Sequence, residues 1–411
     1  MRHEATDEFH VSRLVSKNAR VSGLTSRVRA SWPKVKLGEI AELDLGKMLD
    51  QKKNKGSNRK YLANINVRWG TFNLDDLKEM PFKDSELERY GLRYGDIVMC
   101  EGGEPGRCAI WKDQCPGMMY QKALHRIRPH EGIDHRFLYY HFLLLGRKNG
   151  FAGLFTGSTI KHMPKDKLAL VEIPLPPLPV QRRIADILSA YDDLIENNRR
   201  RIAILEETAR LTYRKWFNEN RSLIASVRIG EFIELQNGFA FKSNTFVEAG
   251  QYKIITIKNV KDVIVDSGNV AFVNRIPERM PIHCRIHPRD ILLSLTGNVG
   301  RVSIAIDHDG LLNQRVAKVK SDFPWCSLLF LTSNESFSLM NNLAVGAAQQ
   351  NLSPVKLCDE FVEMPIRVKM AQIEKLVAPL FDQIVLLAQQ NTTLAAARDM
   401  LLPRLMKGGA A

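Results

Sequence analysis

LPPLPVQRRIADIL, Leu175–Leu188, sets three prolines, with Pro174 just ahead of them, against a helix-like run almost midway along a chain of 411 residues. Proline lacks a backbone donor and fixes φ, so these residues hold the chain out of helix until about Val180. A polyproline docking ligand, the remnant of a catalytic Pro-Pro loop and a rigid joint between two bodies all fit that pattern. The flanking sequence decides among them.

Downstream, Ile184, Leu188, Tyr191, Ile195, Asn198, Ile202, Leu205, Ala209, Thr212 and Trp216 follow alternating steps of four and three, an unbroken heptad seam. A second seam of the same stepping runs through Ile373, Val377, Leu380, Ile384, Leu387, Asn391, Leu394, Arg398, Leu401 and Leu405. Two seams of like length, separated by a whole body, predict antiparallel pairing. At ~1.5 Å per residue the first helix reaches roughly 55 to 60 Å, the span of about 17 base pairs. Asn198 and Asn391 sit near the seam midpoints, where a slipped pairing would strand a buried amide, so the two are expected to meet and fix the register. Pro379, about two turns inside the second seam, predicts a kink there or a helix that begins later. AQQNTTLAAA (Ala388–Ala397) is nearly uncharged, and its outer side is a candidate docking surface for a partner.

The chain also repeats itself. VKLGEIAEL (Val35–Leu43) returns as VRIGEFIEL (Val227–Leu235), and LRYGDIVMCEGGEPGRCAI (Leu92–Ile110) as RIHPRDILLSLTGNVGRVSIAI (Arg285–Ile306). MYQKALHRIRP is echoed by LNQRVAKVKS, with Gln121 and Gln314 in the same place. Each copy ends in a long helical pattern, containing Gln181 or Gln372. A lag near 190 residues is far too long for a solenoid, so it marks domain duplication. Short apolar runs such as IVMC and ILLSL, broken by Gly, Pro and Asn, predict strand-dominated bodies with short helices near Ser85–Tyr90, Arg136–Leu145 and Ser327–Met340. The expected fold class is α/β (mixed α+β), two similar domains separated by two long antiparallel coiled-coil helices in a pseudo-two-fold repeat. The expected boundaries are a basic arm at 1–34, a first body at 35–175, the first helix at 176–222, a second body at 223–366 and the second helix at 367–408.

Composition narrows the function. The 59 Lys and Arg against 45 Asp and Glu give a formal charge of +14 and a pI near 9.5, which favours a polyanionic partner, nucleic acid ahead of an acidic membrane. The arm carries Arg2, Arg13, Lys17, Arg20, Arg27, Arg29 and Lys34 and reads as a mobile tail, with a short helix around Phe9–Val15. No apolar run reaches membrane-spanning length, and MRHEATDEFHVSR lacks the apolar centre of a secretory signal, so a cytoplasmic protein is expected. Six cysteines show neither a CxxC pair nor a zinc-like companion spacing and read as buried thiols. The scattered histidines collect no ligand spacing, so no metal site is expected.

Catalytic signatures are missing. Pro176-Pro177 lies between Leu175 and Leu178, so it lacks the amide acceptor and the stacking aromatic of an amino-methyltransferase loop. No GxxxxGK[ST] occurs, and GEPGR and TGNVGR lead into strands, which argues for tight turns over phosphate cradles. No catalytic residue is assigned.

Base-edge donors and acceptors framed by cations are present in both copies. In the first, the candidates are Lys52, Lys53, Lys55 and Arg59 of DQKKNKGSNRK, Arg68 and Trp69 of NVRWG, Arg107 of EGGEPGR, and Thr159 and Lys161 of TGSTIKH. In the second they are Asn237, Phe239 and Lys242 of LQNGFAFKS, Lys258 and Asn259 of IKNV, Asn298 and Arg301 of SLTGNVGR, and Gln349, Gln350 and Asn351 of GAAQQN. A solvated surface explains the cationic loop nearly as well. Arg107 and Arg301, at matching places in a shared turn, either reach DNA or brace the turn.

The openings KLGEIAEL and RIGEFIEL, the cores GDIVM and RDILL with their Gly-Arg turns, the LQNGFAFKS loop and IPLPPLPVQRRIADIL, in this order and twice over, resemble the specificity subunit of a type I restriction-modification system. The likeness covers nearly the whole chain beyond the arm. It implies two target recognition domains, each reading one half of a split asymmetric site on double-stranded DNA, with the helices setting the spacer. It also implies that chemistry resides in partners: modification subunits that use S-adenosylmethionine to methylate adenine, and restriction subunits that use ATP and Mg2+, each expected in two copies. This chain would then hold no cofactor. The departures are the N-terminal extension, the weaker second joint EMPIRV and Pro379. The rival readings are a coiled-coil adaptor with incidental nucleic-acid binding and a stand-alone nuclease or methyltransferase with degenerate motifs.

Overall fold

A computed structural model describes residues 32–407 apart from 51, 53, 158–160, 262, 269 and 347–349. The expected helix at Phe9–Val15, nearly all of the arm, and Lys53, Thr159 and Gln349 lie outside the described residues.

The duplicated motifs build the same sheet twice. In the first copy a four-stranded antiparallel sheet has the spatial order Ala41–Leu45, Leu124–Pro129, Ile97–Cys100, Cys108–Ile110. In the second the order is Glu234–Asn237, Val316–Lys320, Ile291–Ser294, Val302–Ile304. The runs IVMC and ILLS are buried along their whole length, which is why they are apolar without alternation. Each copy adds a three-stranded sheet with one parallel pair, centred on Ser57–Leu62 in the first and Tyr252–Ile255 in the second. Gly46 and Gly238 mark where the chain crosses from one sheet to the other. A Cβ there would lie 2.4 Å from the Gln121 carbonyl and 2.1 Å from that of Asn313, so only glycine allows the backbones to approach.

The two ends of each body are tied together by a strand pair: Lys34–Lys36 with Glu172–Pro174, and Ile224–Arg228 with Phe361–Pro365. Lys34, assigned to the arm, therefore belongs to the first body.

Five helices matter here. α1 (His135–Arg147) is capped by Asp134, whose carboxylate accepts from Arg136 N and Phe137 N. α2 is Leu178–Glu219, 42 residues. α3 (Pro324–Leu331) and α4 (Asn334–Leu343) replace the single helix expected over Ser327–Met340. The break comes at Ser333, whose side chain accepts from Ser336 N and starts a new helix. α5 is Arg367–Leu405, 39 residues, and it is one helix through Pro379 rather than beginning after it. Pro379 and Lys375 are both exposed, so the carbonyl left without an amide partner at that turn is open to water.

The opening stretch is a joint. α2 starts at Leu178, ahead of Val180, because Pro179 falls in the first turn, where a missing N–H removes no intrahelical bond. Gln181 is 2% exposed; its Oε1 accepts from Asp134 N at 3.0 Å and its Nε2 donates to Pro176 O at 2.9 Å. The prolines are thus fixed to α1 by one buried amide. In the second copy Gln372 is exposed and, among the described residues, its side chain meets only Lys369 Nζ, at 2.9 Å. Glu374, two residues on, takes over: its carboxylate accepts from Trp325 N and Cys326 N at 3.2 and 2.9 Å, at the start of α3.

By internal contacts the chain forms two units, residues 1–193 with 395–411, and residues 194–394. Each unit thus takes a portion of both long helices, a division different from the one expected from sequence, because each stretch of seam packs into a body's core. In the first unit Ile184 and Leu188 share a core with Leu402 and Met406, and Arg398 ion-pairs with Asp192. In the second, Ala209 and Tyr213 share one with Ile373, Val377 and Ile384. Asn198 Nδ2 donates to Asn391 Oδ1 at 3.0 Å, the meeting that the midpoint positions required. Partner numbers on α5 fall as those on α2 rise, so the helices run antiparallel. No seam residue is exposed.

Candidate nucleic-acid interface

In each copy a buried strand delivers the chain into a Gly-Arg turn of fixed geometry. Gly106 N donates to Cys100 O, and Cys100 N to Arg107 O, at 3.0 and 2.8 Å. The second turn repeats both bonds, Gly300 N to Ser294 O and Ser294 N to Arg301 O, at 3.0 and 2.8 Å. Both glycines are left-handed, with φ +92° and +79°, and pack on Phe151 and on Phe337 and Met340 respectively. That conformation explains why glycine precedes each arginine.

A second loop docks on each turn. Thr156 and His162 exchange backbone bonds at 2.8 and 2.9 Å, and Met163 N donates to Glu101 O at 2.8 Å. Val345 and Asn351 do the same at 3.1 and 2.9 Å, with Leu352 N donating to Leu295 O at 2.8 Å. His162 and Asn351 then bridge to Gly102 and Thr296. The described residues of TGSTIKH and GAAQQN, far from the turns in sequence, are therefore neighbours of them in space. The side chains diverge on this shared frame. His162 Nδ1 lies 3.0 Å from the Glu101 carboxylate, whereas Thr296 Oγ1 donates to Asn351 Oδ1 at 2.8 Å.

This frame gathers some of the sequence candidates. In the first copy it brings in Arg107 and also Lys161, whose ammonium is 5.9 Å from the Phe155 ring. Arg68 lies near, its Nη1 donating to Ile65 O at 2.6 Å, one residue from Asn64, whose carbonyl accepts from Arg107 Nη2 at 2.9 Å. Trp69 is partly exposed but rests on α1, where a Cβ on Gly146 would be 2.4 Å from its ring. In the second copy Asn298, Arg301, Gln350 and Asn351 come together, with Gly297 N donating to Gln350 O at 3.1 Å.

Other candidates lie elsewhere. Lys52 and Lys55 are exposed on the loop before Ser57–Leu62, and Arg59 is half-buried on that strand. Lys242 and Lys258 are exposed. Asn237 is exposed while its carbonyl accepts from His283 Nε2 at 2.9 Å, and Phe239 sits edge-on to Phe241, with ring centroids 5.1 Å apart.

Asn259 departs from the base-reading expectation. It is 2% exposed, its Oδ1 accepts from Thr256 N at 2.9 Å and its Nδ2 donates to Asp266 O at 2.8 Å. Asn66 braces the first copy identically, accepting from Ala63 N at 2.9 Å and donating to Asn73 O at 3.1 Å. The amide of Asn259 is consumed inside its own loop, leaving no bidentate edge for adenine.

A buried cation and its half-buried neighbour on the same strand escaped the sequence reading. Arg126 is 1% exposed on the central strand and pairs with Glu42 and Asp44 at 2.6 and 2.9 Å, while Arg128 forks onto Asp96 at 2.7 and 2.8 Å. The duplicate positions exchange partners: Lys318 pairs with Asp290 at 2.6 Å and Lys320 with Glu234 at 2.9 Å. Each copy thus carries a charge lattice across its main sheet, beneath the turns. The spacing of HRIR and AKVK, cations two apart on one strand face, carried the signal.

The cysteines are free thiols; burial pushes Cys326 up to about 12, so it stays protonated. Among the described residues no helix is long and apolar enough to cross a membrane.

Comparison with known proteins agrees with this duplicated frame. The family model for the type I restriction modification DNA specificity domain matches residues 30–207. The type I restriction enzyme MjaIX specificity subunit of Methanocaldococcus jannaschii is 25% identical over 378 residues, 85% of this chain and 85% of that protein. The MjaVIII specificity subunit of the same organism is 25% identical over 304 residues, 66% of this chain and 68% of the relative. The crystal structure of a type I restriction-modification S subunit from M. genitalium shares the fold, with a TM-score of 0.54 at 17% identity over 92% of this chain and 97% of that one. Residues 30–207 thus match the type I restriction modification DNA specificity domain, and over 85% of its length the chain is similar to a type I restriction enzyme specificity subunit.

Proposed function

We propose that this chain reads a bipartite, asymmetric site on double-stranded DNA, one half-site per body, and that the lengths of α2 and α5 set the number of base pairs between the halves. The observation that carries the reading is the duplicated pairing of a Gly-Arg turn with a docked polar loop. One rigid backbone frame bears different side chains in the two copies, as unlike half-sites require. The chain itself is non-catalytic in this reading. Two modification subunits supply adenine methylation with S-adenosylmethionine, and two restriction subunits supply ATP- and Mg2+-dependent translocation and cleavage. Leu386, Gln390 and Thr393, exposed and uncharged on α5 within the second unit, are the surface proposed for the modification subunits, since Ala388 beside them is buried and Gln389 is bonded to Ile306 O.

The test is a competition assay with the full chain bound to its modification subunits. Binding should weaken steeply with salt, each neutralised phosphate adding about 0.9 to the slope of log K against log salt. It should also favour a duplex carrying the recognised site by at least about a thousandfold over a scrambled one. Equal affinity for both duplexes would instead support the adaptor reading, and methyl transfer by the purified chain alone would show it to be an enzyme.

A further inference from the structure

Arg107 and Arg301 occupy the same place in the same turn, yet their guanidinium groups have different fates. Arg107 is folded inward, with a side chain 12% exposed, held by Glu104 Oε2 at 2.5 Å and Asn64 O at 2.9 Å. The position matching Glu104 in the second turn is Asn298, so the acid that neutralises the first arginine is absent from the second. Among the described residues Arg301 has no hydrogen bond or ion pair to its side chain, and it is exposed. It stands at the edge of a half-open cavity of about 490 Å³ in the second unit, whose wall also includes Arg210 of α2, Lys261 and Asn334 at the start of α4. Among the described residues Glu206 is the one acid lining it and is engaged by Arg210 at 2.5 Å; Lys261 reaches Asp266, outside the lining, at 3.3 Å. Arg301 is therefore the cation of this wall whose charge no described side chain meets.

From this geometry we infer that Arg301, Arg210 and Lys261 form a phosphodiester-binding site in the second unit, in which a backbone phosphate of bound DNA supplies the anion that Glu104 supplies to Arg107 in the first. The two copies of the turn then divide their work: Arg107 is a structural brace and Arg301 a DNA contact. A residue of the long helix, Arg210, takes part in holding DNA. The inference rests on the DNA-reading function proposed above and assigns its phosphate contact to one copy of the turn.

The test is the salt dependence of DNA binding by the full chain with its modification subunits, for the parent, Arg301→Gln, Arg210→Gln, Lys261→Gln and Arg107→Gln. Arg301→Gln should weaken binding to specific and scrambled duplexes alike, by five- to twentyfold at about 0.1 M salt, and lower the salt slope by about 1. Arg210→Gln and Lys261→Gln should lower affinity in the same sense. Arg107→Gln should leave the slope unchanged while lowering the thermal midpoint. An Arg301→Gln protein with parental slope, in a parent whose binding is salt-steep, overturns this inference and leaves the DNA reading standing; a parent without salt-steep binding removes the DNA reading itself. A free anion is distinguished by a thermal shift with inorganic phosphate. Stabilisation abolished by Arg301→Gln, together with an unaltered DNA slope, would assign the cavity to free phosphate and contradict the phosphodiester assignment.

Discussion

Arg126→Ala is expected to cost the first unit about 3 to 5 kcal/mol, read as a fall in the urea midpoint with little change in slope. Arg126 is 1% exposed and forks between Glu42 and Asp44, with a further bond from Nη1 to Arg89 O at 2.8 Å. Removing the guanidinium leaves two carboxylates and a carbonyl around a void, with Lys165, at 3.3 Å from Asp44, and the charge of Arg128 near Glu42 as partial compensation. Arg126→Lys should recover part of the loss, since an ammonium restores the charge without the fork. The combination Arg126→Met, Glu42→Gln, Asp44→Asn should recover most of it, because the penalty arises from stranded charge more than from lost volume. A loss below about 1 kcal/mol for Arg126→Ala would show the lattice to be dispensable. Acid should erode this contribution in a definite direction. Burial pushes Asp44 up, but the hydrogen bond from Lys165 and the charges of Lys165 and Arg126 more than offset it, so its pKa is lowered. A lowered folded pKa gives stability that is present above the ordinary carboxylate range and is lost as pH falls through the folded value.

Trp325→Ala is expected to destabilise the second unit by about 3 to 5 kcal/mol. Trp325, 2% exposed on α3, stacks on Phe381 of α5 with ring centroids 4.8 Å apart and planes 13° apart. The Arg289 guanidinium lies 5.8 Å from the Trp325 ring and pairs with Asp382, so one side chain closes body and helix together. Arg289 holds φ +78°, where its counterpart in the first copy is Gly95, at φ +88°. The second copy thus accepts a strained arginine at a glycine position, offset by its contacts to α5. Trp325→Phe keeps a stacked ring and should cost less than half as much. Calorimetry that found Trp325→Ala and Trp325→Phe equal would mean that the stack contributes nothing beyond filled volume.

These two sites show what was legible in the sequence. The seams, the repeat and the proline joint are written in local periodicity, and every seam residue from Ile184 to Leu405 is shielded. α2 begins two residues before Val180, because Pro179 bars helix in an interior but suits a first turn. Pro379 does not delay the start of α5, for the related reason that its exposed side lets water serve the freed carbonyl. The interface was less legible, because whether an amide reads a base or braces a loop depends on which groups the folded loop turns towards it. Asn259 and Asn351 look alike in sequence; one is spent on Thr256 and Asp266, the other stands at the docked loop. The contrast between Arg107 and Arg301 was nearer the surface of the text, since Glu104 lies three residues before one and Asn298 three before the other. The buried fork of Arg126 required knowing which strands are neighbours.

The most direct measurement of what this chain does is a genome-wide map of methylated adenines in a host carrying this chain with its modification subunit, alongside the same host lacking the chain. A specificity subunit of this architecture should yield one motif, two unlike half-sites separated by a fixed number of unspecified base pairs, appearing only when the chain is present. Methylation at a single uninterrupted motif, or a map unchanged by removal of the chain, would contradict it.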